Sequence, residues 1–379
     1  MNGVPMMDLK IQYQQIKSEI QSAIENVLEH GQYMLGDETL KLERDLATYC
    51  QVPFGLSTSS GTDSLILALL TIGIEPGDEV ITSSISFVAS AEVISLLKAK
   101  PVFVDIDPKT FCLDPKKVET AITKKTKAIL PVHIFGQCAD MDALLSLAER
   151  HDLWVIEDAC QAIGAHYKGK KACSLGHLSA MSFYPSKNLG AFGDAGMLFV
   201  KEEALFLAAR QYRTHGEYPK NFNHERIGLN ARMSEIQAAI LNVKFKYLDL
   251  WNQKRKECAN RYYQLFEEAD LLHRLALPHM ATYNDHVFHL YVIQTPQKEN
   301  LISYLTENGI GAGKHFPTAL PHLTCYRSLG HKMGDFPMAE AFCHQSVSLP
   351  MYPELTYPQQ AYVVSKIANF FKNHKLAGY

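Results

Sequence analysis

FGLSTSSGTDSLILALLTIGIEPGDEVITS, residues 54–83, holds a short apolar run, a small polar turn, an apolar helical stretch and a second short run. That order is one strand–helix–strand unit, whose two strands lie parallel when a helix crosses between them. Downstream, short apolar runs return at intervals of about 25 residues, so that 54–56, 79–82, 102–104, 128–132, 154–157, 180–183 and 197–200 read as strands. Between most of them lie helical patterns at 63–72, 88–98, 115–122 and 141–150. Strand and helix in alternation predict an α/β fold, a mainly parallel sheet with helices on both faces. Sheets of this kind bind ligands outside the carboxyl ends of their strands, which makes the residue just after each strand the one to read for chemistry.

Upstream, Ile16, Ile20, Ile24 and Val27 recur at helical spacing and Gly31 stops that helix. Downstream, 234–260 reads as one long helix or two, with Ile236, Ala239, Ile240, Val243 and Leu248 as its apolar stripe. A chain of 379 residues is long for one core and suggests a large domain with a smaller one. The boundary is placed near Leu248, giving a large domain over 1–248 and a small C-terminal domain over 249–379. The latter mixes a strand at 287–293 with helices at 298–308 and 358–372, an α+β pattern.

Forty-seven per cent hydrophobic and 20 per cent charged residues are ordinary for a globular enzyme. A formal net charge of -3 gives no electrostatic reason to expect nucleic acid or an anionic membrane as a partner. The eight cysteines are scattered without a C-x-x-C pair, which speaks for free thiols in a reducing cytoplasm rather than a zinc site or a disulfide framework. The first residues lack the apolar core of a signal peptide, and no apolar run approaches the roughly 20 residues that a membrane span needs. The expectation is a cytoplasmic protein.

Three strand ends carry chemistry. After the first comes Ser57-Thr58-Ser59-Ser60-Gly61-Thr62, opening directly into a helix. Free N–H groups and the helix dipole suit such a turn to phosphate, although a plain helix cap has the same wording. After 154–157 comes Asp158, then Gln161. A carboxylate there can hold a pyridinium N–H, or simply cap the next segment. After 180–183 comes Tyr184-Pro185-Ser186-Lys187-Asn188-Leu189-Gly190, a lysine in a Gly-rich turn. It suits an amine that forms an imine and shuttles a proton; a solvated surface lysine is the plainer reading.

Phosphate turn, acid and lysine, in that order and each at a strand end, match the arrangement of fold-type I pyridoxal phosphate (PLP) enzymes. The wording resembles one family among them, the DegT-like nucleotide-sugar aminotransferases. The resembling stretches are SSGTDSLILALLTIGIEPGDEVITSSISFVASAE (59–92), KPVFVDIDP (100–108), TKAILPVHIFGQCADMDAL (126–144), VIEDACQAIGAHYKGK (155–170), SFYPSKNLGAFGDAG (182–196), IGLNARMSEIQAAIL (227–241) and SLPMYPELT (348–356). The resemblance implies that Lys187 forms the imine with PLP and that Asp158 pairs with its ring nitrogen. It further implies that Phe87 stacks on the ring, that Gln161 lies near the phenolic oxygen, and that Gly61, Thr62 and Ser182 bind the phosphate. Asn230 is implied to reach the site of a neighbouring subunit, so that a homodimer shares its sites. Tyr184, Arg232 and His315 are candidate substrate contacts. Two departures stand out, Ala195 where the family has glycine and Ala231 where it has serine.

The implied reaction takes the amino group of L-glutamate to a nucleotide-linked keto-sugar. The stretches 30–36, 135–144 and 348–355 resemble enzymes acting on 3-keto sugars more than 4-keto ones, and 314–326 fits less cleanly. Two rivals stand beside it. One is a PLP-dependent sugar dehydrase, a type whose members carry histidine where Lys187 stands; the other is a regulator that merely retains PLP. No metal is expected, because His286 and His289 in a strand at 287–293 would point to opposite faces. H-E-x-x-H and G-x-S-x-G are absent, and 190–196 is not a dinucleotide fingerprint.

Overall fold

The computed structural model describes residues 3–217 and 222–373. Twelve strands follow in chain order: β1 Phe54–Thr58, β2 Glu79–Ser83, β3 Lys100–Val104, β4 Thr126–Leu130, β5 Trp154–Asp158, β6 His166–Tyr167, β7 Lys170–Lys171, β8 Leu178–Ser182, β9 Gly196–Val200, β10 Asn284–Asp285, β11 Tyr291–Gln294 and β12 Ser346–Leu349. Seven of them make the central sheet in the order β1-β9-β8-β5-β4-β2-β3. Pairing is parallel from β3 through β2, β4 and β5 to β8, and β9 alone runs antiparallel to both its neighbours. The mainly parallel sheet read from the sequence is therefore present. The carboxyl ends of β1, β2, β5 and β8 open on one edge, where β9 also begins, with Gly196 opposite both Thr58 and Ser182. A Cβ on Gly196 would lie 2.3 Å from the backbone of Ser60, so only glycine lets β9 start beside that turn.

Local chemistry sets the helix ends. Ser60 caps Gly61–Thr71 by accepting from the Asp63 N–H, and Ser234 does the same for Glu235–Phe245 through Gln237. Gly31 closes Lys17–His30 in the left-handed region at φ 69°. The stretch at 234–260 is two helices, Glu235–Phe245 and Leu248–Glu268. Helices at Asp37–Cys50, Glu203–Arg213 and Pro337–Gln345 join those read from the sequence.

The strand expected at 287–293 is corrected to β11, Tyr291–Gln294, paired with β12. Phe288 sits at φ 45°, which breaks an extended chain. Its neighbours are held elsewhere: Val287 N–H donates to Gly136 O, and Arg255 donates to the carbonyls of Phe288 and His289. The argument that His286 and His289 face opposite sides of a strand therefore does not apply.

One large core is built on β1–β5 and β8 and reaches Phe336, Ala339 and Phe342. A second gathers Cys258, Tyr262, Tyr291, Ile293, Leu301, Val347, Val363 and Ile367, together with Val4. Val4 is strapped to that second core, bridging Ile310 and exchanging backbone hydrogen bonds with Gly309 and Gly311. Among the described residues no helix is long and apolar enough to cross a membrane.

Candidate active site

A cavity of about 570 Å³ lies at the carboxyl edge of the sheet, and residues from every chemical strand end line it. Gly61 and Thr62 begin the helix that follows β1 and line the cavity, at the end where a helix leaves N–H groups unpaired within itself. A side chain at Gly61 would meet the Cβ of Ser182 at 2.7 Å and Cys160 Sγ at 2.9 Å, so this corner closes only around glycine.

Asp158 ends β5. Strand alternation sends the adjacent acid, Glu157, to the other face, where it accepts from the backbone N–H groups of Cys173, Leu175 and Gly176 and contacts His133 Nε2 at 2.8 Å. Glu157 is thereby structural. Asp158, 5% exposed, lines the cavity. Its Oδ1 accepts from Cys160 N–H at 3.2 Å and its Oδ2 from Ser90 Oγ at 2.6 Å. Ser90 has one hydroxyl proton, used on the carboxylate, so Ser86 Oγ–H donates to Ser90 Oγ across their 2.7 Å contact. These bonds fix the plane of the carboxylate.

Lys187 lies in the turn after β8. Its own N–H donates to Tyr184 O at 2.8 Å, and Ala191 N–H donates to Phe183 O at 2.7 Å. Gly190 packs so closely on Pro185 that a Cβ would come within 2.3 Å of its carbonyl oxygen. The buried Lys244 ammonium donates to Gly190 O and clamps the turn from below. Burial lowers the pKa of Lys187 below the usual lysine value, against the opposing pull of Cys160 and Asp158. A cavity that favours the neutral amine suits a nucleophile and a proton carrier.

The remaining expected residues divide in two. Phe87, Gln161, Ser182, Tyr184 and His315 line the same cavity. The Phe87 ring is 59% exposed there, leaving a face open for stacking. Gln161 Oε1 accepts from Phe135 N–H at 2.8 Å, which orients its amide. His315 Nδ1 lies 2.9 Å from Ser348 Oγ, and burial followed by the Lys187 charge lowers its pKa. Asn230 and Arg232 do not line the cavity of their own chain. Asn230 is exposed and accepts from Arg232 Nε at 2.9 Å, while buried Ala231 between them takes the Ser59 N–H on its carbonyl.

Sequence reading missed five contributors. Ser86 and Ser90 stand four residues apart just beyond β2, a helical spacing that could have found them. His289 enters from an irregular segment, and Met6 and Met7 reach the cavity from the N-terminal strap with no signal in their wording.

Comparison with known proteins gives the family and the fold. The profile described as the DegT/DnrJ/EryC1/StrS aminotransferase family matches residues 14–368. A relative from Geobacillus stearothermophilus named "Pleiotropic regulatory protein" is 46% identical over 98% of this chain and 99% of its own. A "dTDP-3-amino-3,4,6-trideoxy-alpha-D-glucose transaminase" from Streptomyces venezuelae is 40% identical, over 96% of this chain and 95% of its own. Among solved structures, S. venezuelae DesV in complex with a ketimine intermediate superposes with a TM-score of 0.94 at 39% identity, covering 98% of this chain and 99% of DesV.

Proposed function

The chain belongs to the DegT/DnrJ/EryC1/StrS aminotransferase family, and from that premise we propose that it moves the amino group of L-glutamate onto C3 of a nucleotide-linked keto-sugar. It is a PLP-dependent aminotransferase of fold-type I. The observation that carries the residue assignments is the convergence of Lys187, Asp158 and the Gly61–Ser182 corner on one cavity. The cavity fits PLP by its own chemistry. It offers a helix N-terminus for the phosphate at a corner that tolerates no Cβ, an oriented buried carboxylate for the ring nitrogen, and a lysine with lowered pKa for the aldehyde.

When bound, PLP supplies an aldehyde that condenses with amines and a ring that takes up the electrons of a broken C–H bond. Asp158 would hold the proton on the ring nitrogen. Gly61, Thr62 and Ser182 would hold the phosphate, Phe87 would pack on the ring, and Gln161 would lie near the phenolic oxygen. Lys187 Nζ would take the proton from Cα of glutamate, whose amino group is retained while water supplies the keto oxygen of the departing 2-oxoglutarate. In the second half Lys187 would return a proton to the sugar carbon, whose carbonyl oxygen has left as water. Tyr184 and His315, with Arg232 of a second copy, would hold the sugar nucleotide.

The Ser86–Ser90 relay gives a graded test of the Asp158 assignment. Ser90→Ala removes a hydrogen bond to a charged group and is expected to weaken PLP binding by roughly tenfold, read by titrating the apo-protein with PLP. Unchanged affinity would detach Asp158 from the ring nitrogen.

We assign Asn230 and Arg232 to the site of the second subunit of a homodimer, on the exposure of Asn230 and the absence of both from the cavity of their own chain. Mixing inactive Lys187→Ala chains with inactive Asn230→Ala/Arg232→Ala chains should then restore about a quarter of wild-type activity, because half the dimers carry one intact site. No recovery after verified subunit exchange refutes shared sites.

The choice of carbon rests on the stretches that resemble 3-keto enzymes and on a relative whose name specifies a 3-amino sugar. A panel of nucleotide-linked 3-keto and 4-keto sugars should yield amine at C3; a product aminated only at C4 overturns this part and leaves the aminotransferase standing. The relative named as a regulator favours a second reading, in which the fold serves signalling. Incubation with glutamate separates the two. An aminotransferase converts its lysine-linked cofactor to pyridoxamine phosphate, with loss of the original absorbance band, and a regulator without turnover does not.

A further inference from the structure

Asn188 directly follows Lys187 and is 4% exposed. A chain of unambiguous partners fixes which way its amide points. A backbone carbonyl can only accept, so Asn252 turns Nδ2 to Ile163 O at 3.0 Å, which leaves its Oδ1 to accept from Asn188 Nδ2 at 2.8 Å. Asn188 Nδ2 also donates to Val287 O at 3.1 Å. Both amide protons of Asn188 are thereby used, and the atom facing the His289 ring, 3.3 Å from Nδ1, is Oδ1. An oxygen acceptor there requires the proton of the imidazole to sit on Nδ1.

A neutral ring with its proton on Nδ1 has none on Nε2. Burial pushes the pKa of His289 well below the usual histidine value, and the charges of Lys187, Arg255 and His315 push the same way, so the ring is neutral. Nε2 makes no hydrogen bond among the described residues, yet it is not one of the buried polar atoms sealed from solvent. His289 and Lys187 line the same cavity. Among the described residues Lys187 Nζ has no hydrogen-bond partner either.

We propose that His289 is a positioning residue for Lys187, its bare Nε2 accepting a hydrogen bond from the Nζ amine whenever that amine is uncommitted. The inference rests on Lys187 being the imine-forming lysine. An amine released inside a cavity has left water and needs an acceptor, and a four-carbon stem swings away unless something holds its end. Nε2 supplies that hold without taking the proton, because its neighbourhood disfavours imidazolium.

Three measurements decide it. In the wild-type chain labelled with ¹⁵N-histidine, the ring whose signals vanish in His289→Gln should be neutral and protonated at Nδ1; a proton on Nε2, or imidazolium, overturns the proposal whether or not any variant folds. In the glutamate half-reaction followed by absorbance, His289→Phe should slow the change by roughly tenfold or more, and His289→Gln, whose side-chain oxygen reaches toward the Nε2 position, should recover to within about threefold of wild type. A phenylalanine variant within about twofold of wild type overturns it, and so does a histidine that serves only the sugar, since no sugar is present in this reaction. Borohydride reduction and peptide mass mapping separate the levels. Cofactor fixed to a lysine other than 187 removes the functional reading and this inference together, whereas cofactor on Lys187 with either of the other results failing removes the inference alone.

Discussion

Lys187→Ala is expected to lower turnover by several orders of magnitude, roughly 10⁴-fold or more, as when other covalent catalysts are removed. The same variant should still bind PLP, because the Gly61–Ser182 corner and Asp158 are left untouched. Its absorbance should then be that of the free aldehyde. The expectation follows from the turn that presents Lys187. Lys244 below and Gly190 packed on Pro185 hold the backbone in place, so the change deletes an amine without moving the loop. A variant that keeps a tenth of wild-type turnover would sink the assignment of Lys187 as both imine partner and proton carrier.

Asp158→Asn is expected to cut turnover by roughly 10²- to 10³-fold, the scale of a lost preorganised electrostatic contact. Asparagine has nearly the same shape and can still accept from Ser90 at its oxygen, but it carries no charge to keep the ring nitrogen protonated. Its melting temperature should stay within about 3 °C of wild type, corresponding to about 1 kcal/mol in a domain of this size. Full turnover in the variant would make Asp158 a structural residue, like its neighbour Glu157.

Much of this was legible in advance because the parallel sheet ties sequence order to place. Gly61, Asp158 and Lys187 are far apart in the chain, yet each lies at or just beyond the carboxyl end of a strand on one edge, and periodicity alone located those ends within a few residues. The failures share a cause as well. The run 287–293 reads as a strand because it is apolar and β-prone, but tertiary hydrogen bonds to Gly136 and from Asn188 and Arg255 claim that backbone first. The Ser86–Ser90 pair shows itself only when Asp158 is seen beside it. Met6 and Met7 lie in a segment whose place is set by Ile310, a partner that no local pattern can name.

The strap through Val4 bears on how the enzyme is made. On a ribosome, at about 5–20 residues per second, Val4 emerges roughly 15–60 s before Ile310, its partner across the bridge. The segment that brings Met6 and Met7 to the cavity wall therefore waits, unanchored, through most of translation. The seven strands of the sheet emerge well before it can dock. Assembly of the site thus ends with its earliest-made residues, and a nascent chain halted before residue 310 would carry Lys187 and Asp158 in a pocket still lacking a wall.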